Sequence, residues 1–259
     1  MTTSACRLPL LTFLALCGLT AGIRAAPLPP PAIATSRAIP ADAHLGEASG
    51  DADFLFRLGL LEGHLLVGHE LIQAHQPALA LPHFGHPVRE LYDDIAEYLK
   101  TKGFPPFDKE LVALEAAVAA APDSSATEAK YQAVIAIVHK ARETAPAELR
   151  ASIPEMIKLC SNTIDAASGE FGEALERGRI AAVVEYHDSR GFLEYVDQQL
   201  KAMKAEHADA AARARIDRLQ AILAKAQWIV GELLPAPTPR ASVGTYRAIA
   251  AEALALAKE

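Results

Sequence analysis

Cysteine is scarce in this chain. Three occur in 259 residues, and Cys6 and Cys17 both fall within the first 25, so Cys160 stands alone beyond them. No internal disulfide framework can staple the rest, and Cys160 reads as a buried helix residue rather than a reactive thiol. Aromatics make up only 6%, and alternating Val, Ile and Thr runs are nearly absent, which removes the period-two signal of a sheet. Without CxxCH there is no covalent haem, and without HExxH no zinc-peptidase helix. GxSxG, a glycine-rich phosphate loop, paired ExxH motifs of the di-iron type and methionine-rich copper motifs are also missing. Haem and nucleotide cofactors are therefore not expected, and an enzyme reading is left without a nucleophile or general-base motif. Basic charge is short as well, with 25 Lys and Arg against 32 Asp and Glu. That balance excludes a nucleic-acid surface, which needs a basic face.

What is present begins with an export signal. Arg7 precedes an apolar run over 8–19, small residues follow, and Ala25 gives an acceptable cleavage site,. The run is twelve residues long, against the roughly 20 needed to span a bilayer, and no later segment is long and uncharged enough. The expectation is a periplasmic protein with no transmembrane segment in the mature chain. Loss of Arg7 and Arg24 with a leader of 1–25 leaves 23 basic against 32 acidic residues, a charge of −9, compatible with binding cations.

Residues 26–50, rich in Pro, Ala and Ser, read as a flexible leader. From 51 to 234 the chain reads as long amphipathic or apolar helices separated by short Pro/Gly connections. A Pro-rich linker and a last helix follow over 235–259. The expected fold is all-α: an antiparallel helical bundle of about seven or eight helices, or two joined bundles. The first helix, about 53–75, is apolar on nearly every side and so central. Gly59, Gly63 and Gly68 cost about 1 kcal/mol each inside it, which close approach of neighbouring helices would offset. A loop is expected over 76–86, with a second helix starting at Pro87. Asp188 is expected to cap a helix, with Glu185, Tyr186 and His187 in the turn before it.

Five of the nine histidines, His64, His69, His75, His83 and His86, fall between Glu62 and Glu97. At 100° per residue His64 and His69 lie on opposite faces of the first helix, so each looks to a different neighbour. Imidazoles near carboxylates can hold a first-row transition metal. The candidate ligands are His64, His69, His83, His86 and Glu90, completed by Glu185, His187 and Asp188 if the two regions meet in space. Arg57 near His64 favours the other reading, buried histidines that only hydrogen-bond within a structural network.

Gly63-His64 in a long first helix of an exported, helical chain resembles the imelysin-type periplasmic proteins, which carry a GxHxxE motif. The resemblance implies an all-helical fold and a link to iron uptake. It carries no ligand across, because Glu62 and Val67 stand where the motif has Gly and Glu. Together these readings point to binding of iron or copper, with zinc less favoured, for uptake, buffering or delivery, and to a periplasmic or membrane-protein partner. The alternative is a metal-free helical scaffold.

Overall fold

A helix that is apolar on every side has to be covered on every side, and the first helix sets the plan of the molecule. In the computed structural model, which describes Met1 and residues 48–207 and 209–259, α1 (Asp51–Gln73) buries residues all around its circumference, from Phe54 to Ile72. The side chains of Val88 and Glu90 are outside the description. So are residues 2–47, where the export signal and most of the leader were read.

The fold is all-α. After α1 come α2 (Pro77–His86), a π turn (Pro87–Leu91), α3 (Tyr92–Thr101), α4 (Asp108–Ala120), α5 (Ser125–Arg142), the short α6 (Ala147–Ala151), α7 (Ile153–Glu173), α8 (Val183–Glu206), α9 (Ala210–Val230) and α10 (Val243–Leu256). The last four long helices close a ring: α8 packs on α7 and α9, and α10 packs on the same two. This four-helix bundle has Phe171, Tyr186 and Tyr246 at its centre, with Phe171 and Tyr246 rings 5.4 Å apart. On the other side α1 is covered by α2 and α5, with α4 joining those two. α10 docks fully, burying Tyr246, Ala250, Ala253 and Leu256 along one stripe.

Three local expectations are corrected. The stretch expected as a loop, 76–86, is helix α2, since Pro77 sits at its first turn, where a missing N–H costs nothing,. Pro87 does not start a helix. It lies inside a continuous helical run, where it cannot donate to the His83 carbonyl. The chain widens there into a π turn, closed by Tyr92 N–H on the Pro87 carbonyl; such turns are frequent at functional sites. Finally, α8 begins at Val183, so Glu185 to Asp188 are helical and Asp188 is no N-cap. The helix before them stops at Glu173 because Leu175 to Ile180 form a hairpin of two-residue strands. Its turn residues Arg177 and Gly178 both have positive φ, as a tight primed hairpin turn demands.

The glycines of α1 mark its closest neighbours. A Cβ on Gly63 would meet the Phe192 ring at 2.7 Å, and one on Gly191 of α8 would meet the Gly63 carbonyl oxygen at 2.2 Å. Gly68 does the same service for α2, with Phe84 at 2.9 Å and His83 Cβ at 3.2 Å. The two crossings lie little more than one turn apart on α1, and His64 falls between them.

Gly191→Ala forces α1 and α8 apart. Overpacking of this kind costs about 1–3 kcal/mol, only partly offset by the roughly 1 kcal/mol that alanine gains in helix propensity. Gly169→Ala, where nothing lies within 4 Å of the added Cβ, gains about 0.5–1 kcal/mol. Urea unfolding of the two variants should move in opposite directions; equal midpoints would contradict the close crossing.

Candidate metal centre

His64 leaves α1 on the side where α8 and α2 both approach. From α8 comes Asp188, one turn before the Gly191 crossing, and from α2 come His83 and His86, which share a helix face at i, i+3. The Asp188 carboxylate is the meeting point. His83 Nδ1 donates to Asp188 Oδ1 at 2.8 Å. His64 Nδ1 lies 2.6 Å from the same oxygen, although off the line of a hydrogen bond. His86 Nδ1 is 3.6 Å from Oδ2. The three imidazole centroids are 5.5 to 6.4 Å from one another. One ligand atom from each of His64, His83 and Asp188 falls within 4.8 Å of the others. Phe192, edge-on to His64 at 5.2 Å, supplies an apolar wall.

All of these groups are buried: His83 and His187 fully, Asp188, His64 and His86 with at most 6% of their surface exposed. Burial alone would raise the Asp188 carboxyl, but the imidazoles of His64 and His83 pull it well below the usual carboxylate range. Its ion-pair partners among the described residues are imidazoles, not Lys or Arg. The guanidiniums are engaged elsewhere. Arg57 is held by Asp53 and Asp94, at 3.1 and 2.7 Å, and Arg190 forks onto Glu70. The charge that told against a metal near His64 is thus neutralised by its own carboxylates. Burial lowers His83 and brings His187 down to about 4, the neighbouring His83 adding to that.

The other expected ligands lie at different distances from this centre. His187 immediately precedes Asp188 on α8, but its Nε2 donates to the Leu233 carbonyl at 2.9 Å and its ring stands 5.4 Å from that of His83. Glu185 sits half-buried one turn before Asp188; burial raises its carboxyl and the Asp188 charge adds to this, while His86 opposes. The position Glu90 falls on the π turn, its side chain outside the described residues. His69 is not at the cluster. It points the other way, donating to Glu128 at 2.8 Å and stacking on Tyr131 at 3.9 Å, as its opposite face on α1 requires. Glu62 shares that second face and is bound by Arg142 and by His139 Nε2, the latter at 3.0 Å. This is a buried structural ion pair. Cys160 is fully buried, its thiol pushed up to about 12 by that burial, so it is chemically quiet. Phe192 and the Leu233 carbonyl had no signal of their own in the sequence, beyond Phe192 following the Gly191 that lets the helices touch.

Chemically, imidazole nitrogens and one carboxylate suit first-row transition metals. Ligands about 2.1 Å from a tetrahedral ion lie about 3.4 Å apart, so the present 2.6 and 2.8 Å separations need only a small expansion to admit one.

Comparison with known proteins adds one match. A family model described as an iron permease-associated 4-helix bundle domain matches residues 146–258. No curated protein and no solved structure matches the chain. The matched span covers the α7–α10 ring and therefore Glu185, His187 and Asp188, while His64, His83 and His86 lie outside it. The match supports an all-helical, iron-related domain and does not single out the imelysin family. No helix among the described residues is long and apolar enough to cross a membrane.

Acid should weaken the metal-free protein in a defined window. The unfolded chain takes up a proton at His187 near 6.5, the folded chain only near 4. The stability is therefore complete above about pH 6.5 and is lost as pH falls toward 4, by on the order of 3 kcal/mol. His83, also lowered, works in the same direction, and Asp188 adds a loss below the ordinary carboxylate range. Urea unfolding at pH 7.5, 5.5 and 4.5 measures this as a falling midpoint; a flat profile would contradict it.

Proposed function

We propose that this chain binds a transition metal, iron first and copper second, at His64, His83, His86 and Asp188, and serves iron uptake by buffering or delivering it. The observation that carries the reading is the convergence of imidazoles from α1 and α2 on a buried α8 carboxylate that no Lys or Arg among the described residues neutralises. Imidazoles coordinate a metal in their neutral form, so with one carboxylate they offer a cation a ligand set of charge about −1. Half-buried Glu185, one turn before Asp188, would supply a further oxygen. The iron permease-associated description of the matched segment supports iron over the alternatives, and supports a membrane permease as the partner that receives the metal. Export to the periplasm rests on the N-terminal signal pattern alone. The division into leader, bundle and C-terminal helix is likewise a reading of the sequence.

One observation favours a second reading, a metal-free structural network: His83 already donates to Asp188, so the cluster partly satisfies itself.

Titration calorimetry of untagged protein with Fe(II), Cu(II) and Zn(II), the first under anaerobic conditions, separates the two. Metal binding predicts one ion per chain, an affinity loss of at least about 100-fold for Asp188→Asn and His64→Ala, and no change for His69→Ala. Metal at 100 times Kd should add about 2.7 kcal/mol of stability. A wild-type protein that takes up none of the three metals, and whose melting temperature ignores them, would leave the structural network as the function of the cluster.

A further inference from the structure

Two buried ring nitrogens, His83 Nε2 and His187 Nδ1, have no hydrogen-bond partner. Both residues are completely buried, and their rings meet edge to face with centroids 5.4 Å apart. A buried polar atom left without a hydrogen bond is costly, so two of them in adjacent rings call for a reason. The tautomers supply it. His187 Nε2 faces the Leu233 carbonyl at 2.9 Å; a carbonyl only accepts, so Nε2 carries the hydrogen. In the neutral ring that leaves Nδ1 as a bare lone pair. His83 Nδ1 faces the ionised Asp188 carboxylate at 2.8 Å, so there Nδ1 carries the hydrogen and Nε2 is the lone pair. Two buried acceptors are thus left in rings that stand 5.4 Å apart, and neither can satisfy the other.

The mismatch disappears when His83 serves as a ligand. Coordination through Nδ1 needs the lone pair on Nδ1 and moves the ring hydrogen to Nε2. The proton count of the ring is unchanged: one N–H bond is lost at Nδ1 and one is formed at Nε2. The new Nε2–H is a donor, and the adjacent His187 ring carries an unpartnered acceptor.

We propose that His187 is a positioning residue for the metal centre: it accepts a hydrogen bond from His83 Nε2, directly or through one water, and so selects the tautomer whose Nδ1 faces the metal. This rests on the metal-binding reading above and assigns His187 a supporting place in it instead of a ligand's. The support runs from the Leu233 carbonyl through His187 to His83. Tyr186 and Arg190 hold the neighbouring carbonyls of Val230, Glu232 and Gly231, which keeps the Leu233 segment in place. Outer groups of this kind are commonly worth 10- to 100-fold in metal affinity.

The test uses Zn(II) as a diamagnetic probe on the full-length protein, with His187→Phe and His187→Gln. Long-range nitrogen–proton NMR should show His83 protonated on Nδ1 in the metal-free wild type and on Nε2 with Zn bound. His187→Phe should lose about 10- to 100-fold in Zn affinity, and His187→Gln, whose amide both accepts and donates, should stay within about threefold of wild type. A His83 that keeps its Nδ1 hydrogen with Zn bound overturns the proposal. So does a His187→Phe protein that is less stable yet binds Zn as tightly as wild type, and in both cases metal binding itself survives. If His187→Phe fails to fold, the wild-type tautomer measurement decides. A wild type that binds no metal removes both readings together.

Discussion

Two backbones come into direct contact at Gly63 of α1 and Gly191 of α8. With no side chain between them, the helices touch carbonyl to Cα, and this contact sets the distance between His64, one residue past the first glycine, and Asp188, one turn before the second. A wider crossing would still allow a helical bundle, since α1 would find apolar cover from α7 and α8 at a larger separation. It would not bring imidazole and carboxylate to within 2.6 Å. The Gly68 crossing with α2 has the same role for His83. Packing density and site geometry are therefore one constraint in this protein, because glycine is what makes both.

The cluster has a definite electrostatic character. Burying a carboxylate is expensive unless charge or hydrogen bonds compensate it. For two other buried carboxylates the compensation is a guanidinium: Arg57 for Asp94 and Arg142 for Glu62. At Asp188, among the described residues, the ion-pair partners are imidazoles. A guanidinium cannot give up its charge or offer a lone pair, whereas an imidazole does both, so this buried carboxylate sits where a cation can be coordinated. The halves of the chain divide the work. The carboxylate comes from the ring of α7–α10, the part similar to the iron permease-associated bundle, and the imidazoles come from the helices that precede it.

Much of the fold could be read from the sequence. The apolar circumference of α1 and the glycine positions at its crossings follow from local chemistry that acts within a few residues. The helical state of 76–86 and of Glu185–Asp188 did not. Pro77, Pro82, Gly85 and Pro87 read locally as breakers, yet Phe84 and His83 packing on Gly68 outweighs them, since tertiary burial overrides propensity. Within the candidate site, His64, His83, His86 and Asp188 were all picked out by residue type. His69 was picked out with them by proximity in sequence, although the helix period already placed it on the far face of α1.

By itself the sequence determined the class and the inventory: an all-helical chain, a central first helix, and a supply of imidazoles and carboxylates without cysteine ligands. These follow from periodicity and composition, which are local and additive. Only the tertiary structure decided which histidine meets which acid. That depends on the rotation and separation of three helices about two glycine crossings, and residues 105 positions apart along the chain, such as His83 and Asp188, become neighbours through packing that no short stretch encodes.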